Sequence, residues 1–222
     1  MARIDIRGVI IPNDYKWYYS LFGMDSTCPQ DVRKYLTEGP HEEHEVYINS
    51  PGGAVSAGSE IYTMLRGHGP GVKIYITGEA CSAASIIAMA GYSEMSPTAL
   101  MMVHCVSTSV SGNHTEMEHT AELLRTADEA LCTAYMEKSG MGKEDALAMM
   151  EHETWMTAQQ AVEKGLIDKV MFEQKKTVQM VAGLISLPSK EQMERARTLA
   201  MWPEREQAIA NLKLLELEGE VK

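Results

Sequence analysis

The chain has 222 residues, of which 45% are apolar, enough for one sizeable core, so intrinsic disorder is excluded as the default. Twenty basic residues against thirty-one acidic ones give a net charge of −11, which argues against nucleic acid or an anionic membrane as the main partner. The longest apolar runs are too short to span a bilayer, the first residues lack a signal-peptide core, and the four cysteines (Cys28, Cys81, Cys105, Cys132) are scattered, which suits a reducing cytoplasm.

Residues 3–11 alternate polar with apolar like a first strand, closed by the turn Pro12-Asn13-Asp14. A mixed region with Trp17, Tyr18, Tyr19 and Phe22 follows, and Pro29 marks the first turn of a helix capped from Thr27 or Cys28. The stretch from Pro40 to Glu45 is polar. His41, Glu43 and His44 there read either as a solvated loop or as a metal site. Glu45–Asn49 is the next strand, stopped by Ser50-Pro51-Gly52-Gly53. Two glycines between a strand and a helix (about 54–66) mark backbone that needs unusual φ/ψ or a close approach.

Val72–Ile76 reads as a buried strand, and the small and apolar residues after Ser82, as far as Gly91, read as a helix packed on all sides. Ser82 therefore sits where a strand turns into a buried helix, as an ordinary N-cap or as a rigidly held nucleophile. After a loop with Ser96-Pro97, Leu100–Val103 is a strand ending at His104. Strand–helix–strand–helix–strand alternation from 45 to 104 implies parallel strands joined by right-handed crossovers, with functional groups at the carboxyl ends of the strands. Gly52-Gly53, Ser82 and His104 each fall at such an end.

Asn113-His114-Thr115-Glu116 is a capping box opening a long helix, with Met117, Ala121, Leu124, Leu131 and Tyr135 on one stripe and Gly140 and Gly142 as its stop. A short helix from Lys143 precedes Glu151–Met156, and Thr157–Gln160 is a second capping box whose helix ends at Gly165. Residues 167–172 form the last strand. The domain spans 1–173. The remainder, 174–222, reads as a helical arm with a cap at Ser189 and Gln192, a break at Pro203 and a second amphipathic helix, and it has too few apolar residues for a core of its own.

A serine becomes nucleophilic at neutral pH when a neutral histidine takes its proton, and a carboxylate on the other ring nitrogen orients that histidine. Ser82 and His104 lie on neighbouring elements, Glu153 is placed to supply the acid, and the N–H groups of Gly53 and Ala83 are placed to hold an oxyanion. Ser85, one turn on, is the rival serine, Cys81 a conceivable thiol nucleophile and Asp168 a conceivable acid. His114 and His152 read as surface residues.

Tyr47-Ile48-Asn49-Ser50-Pro51-Gly52-Gly53, Gly78-x-Ala80-x-Ser82, Val103-His104 and Thr157-Ala158-x-x-Ala161-Val162-x-x-Gly165-Leu166-Ile167-Asp168, in that order, resemble the ClpP peptidase family over residues 46–170. The short N-terminus, Trp155-Met156-Thr157-Ala158 and the helical tail are most similar to the ClpP-related head maturation proteases of tailed phages and prophages. The resemblance implies an α/β, crotonase-like fold of repeated strand–helix units with a long protruding helix, and a homo-oligomeric ring of between six and fourteen subunits. It implies a serine endopeptidase without cofactor or metal, in which Ser82 is the nucleophile, His104 the base, Glu153 the acid where the family commonly has Asp, and Gly53 and Ala83 the oxyanion hole. Capsid or scaffold proteins are the expected substrates, in the host cytoplasm or the prohead. The chain lacks the N-terminal segment with which housekeeping ClpP meets its ATP-driven unfoldase, which points away from ATP-dependent degradation. A crotonase-type acyl-CoA enzyme, which shares the fold, and a non-catalytic capsid-assembly or scaffold subunit are the alternative readings.

Overall fold

A computed structural model describes residues 2–38, 43–69, 71–173 and 188–200. The chain divides into two compact units, residues 1–174 and 175–222.

In the first unit, β1 (Ala2–Ile10) leads through a 3₁₀ turn, α1 (Lys16–Leu21) and β2 (Ser26–Thr27) to α2 (Pro29–Glu38), which begins at the proline whose fixed φ suits a first helical turn. Then β3 (His44–Gly53), α3 (Val55–His68), β4 (Val72–Cys81) and α4 (Ala83–Ala88) follow in alternation. β1, β3 and β4 pair side by side and in parallel, in the order β1-β3-β4. Their inward residues Ile4, Ile6, Ile48, Ile74 and Ile76 are at most 1% exposed, each burial being worth about 1.5–3 kcal/mol. All six residues of α4 are buried, because every side chain in it is small or apolar. The helix stops at Ala88 rather than running to Gly91.

The chain beyond α4 departs from the sequence reading in two places. Tyr92–Met95, expected in a loop, is β5, and Thr154–Thr157 is β7. Each has only four residues, too few for alternation to be distinguishable from chance. β4 is long enough to serve two neighbours. Its first half pairs with β5 (Lys73↔Tyr92 to Ile76↔Met95), and its last residues pair with β6 (Leu100–Val103) through Glu79↔Leu100 to Cys81↔Met102. β6 in turn pairs antiparallel with β7, Val103 opposite Thr154.

Between β6 and β7 run α5 (His114–Ser139) and α6 (Lys143–Glu151). The capping box at Asn113 and Glu116 is formed, and Gly140 ends α5 in the left-handed conformation. Met117, expected on the inward stripe, is 49% exposed, and the buried residues of α5 begin only at Asp128. After β7 come α7 (Ala158–Glu163), with its own capping box at Thr157 and Gln160, and the two-residue β8 (Lys169–Val170) beside β5.

In the second unit the described helix is α8 (Lys190–Ala200), capped reciprocally by Ser189 and Gln192. The expected break at Pro203 and the helix after it lie outside the described residues. Among the described residues, no helix is long and apolar enough to cross a membrane.

Candidate active site

Ser82 follows directly on β4, and its backbone is out of the ordinary. With φ 54° and ψ −125° it occupies a region that side chains rarely enter, at a cost of about 1–3 kcal/mol. The turn is held from outside. The Ser82 N–H donates to the Met102 carbonyl of β6 at 2.9 Å. Gly52 lies against the same turn, since a Cβ there would come within 2.6 Å of the Cys81 carbonyl oxygen and 2.7 Å of Ser82 Cβ. That close approach, together with a φ of 98°, is why the Ser50-Pro51-Gly52-Gly53 stretch needs glycine at this point.

The side chain of Ser82 does not cap α4. Its Oγ lies 2.8 Å from Nε2 of His104, the first residue after β6. Ser82 thus stands at the N-cap position without its side chain capping the helix, and the two residues expected to form the pair meet. Gly53 and Ala83 line the same cavity of ≈ 80 Å³ as Ser82 and His104, so the four positions singled out from separate strand ends converge. Val55, Ile86, Leu131 and Met150 form its apolar wall.

Glu153 stands differently. It follows α6 and precedes Thr154, which pairs with Val103, so it lies one position past the end of the β6–β7 ladder, where its φ of 46° turns the chain. Its carboxylate accepts from the indole N–H of Trp155 at 3.3 Å, while the described hydrogen-bond partner of His104 is Ser82. The structure thus leaves Glu153 with its carboxylate turned to the tryptophan.

The rivals sort themselves by burial. Ser85 is fully buried and donates to the Ser82 carbonyl at 2.6 Å, so its Oγ must accept from the Tyr135 hydroxyl 2.7 Å away. The two side chains form a strut beneath Ser82. Burial, reinforced by Glu79, pushes the Cys81 thiol up to about 11, which keeps it protonated and unreactive at neutral pH. Asp168 accepts from the Ser93 N–H at 2.7 Å and pairs with Lys138, joining β5 to α5 rather than facing the cavity. Among the described residues no group of three or more His, Cys, Asp or Glu is arranged to hold a metal. His41 lies outside them, Glu43 pairs with Lys73 at 3.0 Å, and His44 is buried with its ring against that of His68.

One residue near the site escaped the sequence reading. Asp128 of α5 is 9% exposed and accepts the Val106 N–H at 2.6 Å, two residues past His104. The signal was present: the inward stripe of α5 skips from Leu124 to Leu131, and Asp128 fills the vacant helical position with a charge.

A parallel sheet that delivers a strained serine, a histidine and a glycine turn to one cavity defines a serine-hydrolase arrangement. Compared with known proteins, the chain matches the Clp protease family over residues 33–174. It is 31% identical over 145 residues to the ATP-dependent Clp protease proteolytic subunit 2 of Chlamydia pneumoniae, an alignment covering 64% of this chain and 71% of that protein. The chain belongs to the Clp protease family, whose members are serine-type peptidases that act on polypeptides.

Proposed function

We propose that this chain is a serine endopeptidase in which Ser82 is the nucleophile, His104 the general base, Glu153 the acid, and the N–H groups of Gly53 and Ala83 the oxyanion hole. The observation that carries the reading is the 2.8 Å approach of Ser82 Oγ and His104 Nε2 across two strand ends, made by a serine in a strained turn. With His104 protonated on Nδ1, the hydroxyl donates to Nε2 and gives up its proton as Oγ attacks the scissile carbonyl carbon. The developing oxyanion sits between the two backbone donors. His104 then passes the proton to the departing amine, and water repeats the sequence in reverse on the acyl-enzyme. In this reading Glu153 leaves the Trp155 indole to accept from the far ring nitrogen of His104. The apolar wall of the cavity suits an apolar side chain next to the scissile bond.

Within the family, the Trp155-Met156-Thr157-Ala158 sequence and the C-terminal arm support an ATP-independent role in processing phage or prophage capsid proteins, with the chain assembled into a ring. The named identity of the Chlamydia relative favours a second reading, a subunit of an ATP-dependent degrading complex. An acyl-CoA enzyme would have no use for the Ser82–His104 contact. The test is twofold. A fluorophosphonate probe labels Ser82 and fails to label Ser82→Ala. Co-expression with a capsid protein, followed by mass spectrometry, yields defined cleavage products without ATP or an unfoldase. Labelling at any other residue rejects the site, and cleavage that requires ATP selects the second reading.

A further inference from the structure

β6 ends at Val103, so His104 and the residues after it have no ladder partner, yet two of their amides are fixed. The Cys105 N–H donates to the Met150 carbonyl of α6 at 3.2 Å, and the Val106 N–H donates to Asp128 Oδ1 at 2.6 Å. Val106 and Ser107 line the same cavity as Ser82. His104 is therefore held between the Val103↔Thr154 pair on one side and these two anchors on the other. Of the two anchors, Asp128 is the one made by a side chain.

A carboxylate on the apolar stripe of a helix is costly unless its oxygens are bonded. The described hydrogen-bond partner of Asp128 is the Val106 N–H, and none of the described ion pairs involves it. A short, charge-assisted bond to a backbone amide is a strong one, and its effect is to fix that stretch of chain. The carboxylate also leaves its mark on the neighbour: burial, and then Asp128, push the Cys105 thiol up to about 11.

We propose that Asp128 is a positioning residue for the reaction: by clamping the Val106 amide it sets the His104 imidazole at hydrogen-bonding distance from Ser82. This rests on the reading of His104 as the general base. A displacement of about 1 Å in such a pair can lower the rate on the order of 10²-fold. Asp128→Leu, close to the aspartate in shape, removes the acceptor, whereas Asp128→Asn keeps an oxygen facing Val106.

The clamp predicts that Asp128→Leu lowers kcat roughly 10- to 100-fold per site titrated with fluorophosphonate, with KM moving by less than about threefold. Asp128→Asn recovers kcat to within about threefold of the original. A purely structural role would lower Tm and the fraction of titratable sites but leave kcat per site unchanged, and that result overturns the proposal. So does an Asn variant as slow as the Leu variant. Amide exchange followed by NMR decides independently of catalysis and of any variant's folding. Val106 in the unmutated protein exchanges far more slowly than the exposed Ser109 and Val110. Equally fast exchange overturns the clamp. Retained hydrolysis in Ser82→Ala would instead sink the catalytic reading and leave the exchange result standing.

Discussion

Ser82 and Glu153 are two of the three described non-glycine residues with positive φ, at 54° and 46°, and both sit at a junction between a strand and a helix. Their surroundings differ. Ser82 is flanked by buried Cys81 and Ala83, backed by Gly52, tied to β6 through its N–H and underpinned by the Ser85–Tyr135 strut. Glu153 lies at the surface, with its carboxylate on the half-exposed Trp155 indole. The same kind of backbone departure is locked in one place and adjustable in the other. For the proposed nucleophile that locking matters, because strain is useful only if the surroundings do not relax it. The proposed acid, which would only orient and stabilise an imidazolium, can arrive by a side-chain rotation.

The largest break in that comparison is Ser82→Ala, expected to lower peptide hydrolysis by roughly 10⁴-fold or more with folding intact by circular dichroism. Glu153→Gln is expected to cost less, roughly 10²-fold in kcat, and Trp155→Phe, which frees the carboxylate, to leave kcat within about threefold or raise it. A Trp155→Phe enzyme as impaired as Glu153→Gln would make the indole part of the working site. Gly52→Ala attacks the locked junction. With the new Cβ 2.6 Å from the Cys81 carbonyl oxygen, it should displace the turn and lower kcat by roughly 10- to 100-fold, read beside the melting temperature. Tyr135→Phe removes one donor from the strut and should lower stability by about 1 kcal/mol, with little change in kcat, in urea titrations. The smallest effect is a pH response. The Cys81 thiol is raised to about 11, so its protonated form prevails at pH 7, iodoacetamide should leave hydrolysis unchanged there, and labelling should climb as the pH rises toward 11.

How much of this was legible in the sequence depended on the length of each signal. The β3–α3–β4–α4 alternation came from runs long enough for their periods to differ, and the glycine pair, Ser82 and His104 followed because parallel strands deliver their ends to one edge. Four-residue β5 and β7 carried no such period. Missing β7 hid the register that pairs Val103 with Thr154, the residue after Glu153, although the family pattern had already pointed to Glu153. Asp128 was overlooked because an inward stripe is searched for what is apolar, and a charge on it was passed over as a gap. The direction of the Glu153 carboxylate was beyond reach, since it turns on a single side-chain rotation at the surface.

α5 is 26 residues long, about 39 Å from end to end, and nothing in it before Asp128 is buried. Its leading half is thus a rod kept in shape by its own backbone ladder and the cap at Asn113, near the length of about 12–15 residues at which a lone helix in water is marginal. A solitary copy in dilute solution would fray from that tip, with Met117 and Leu123 facing solvent. Whatever covers those two side chains would stiffen the rod from the tip inward, and at its other end the same rod carries Asp128.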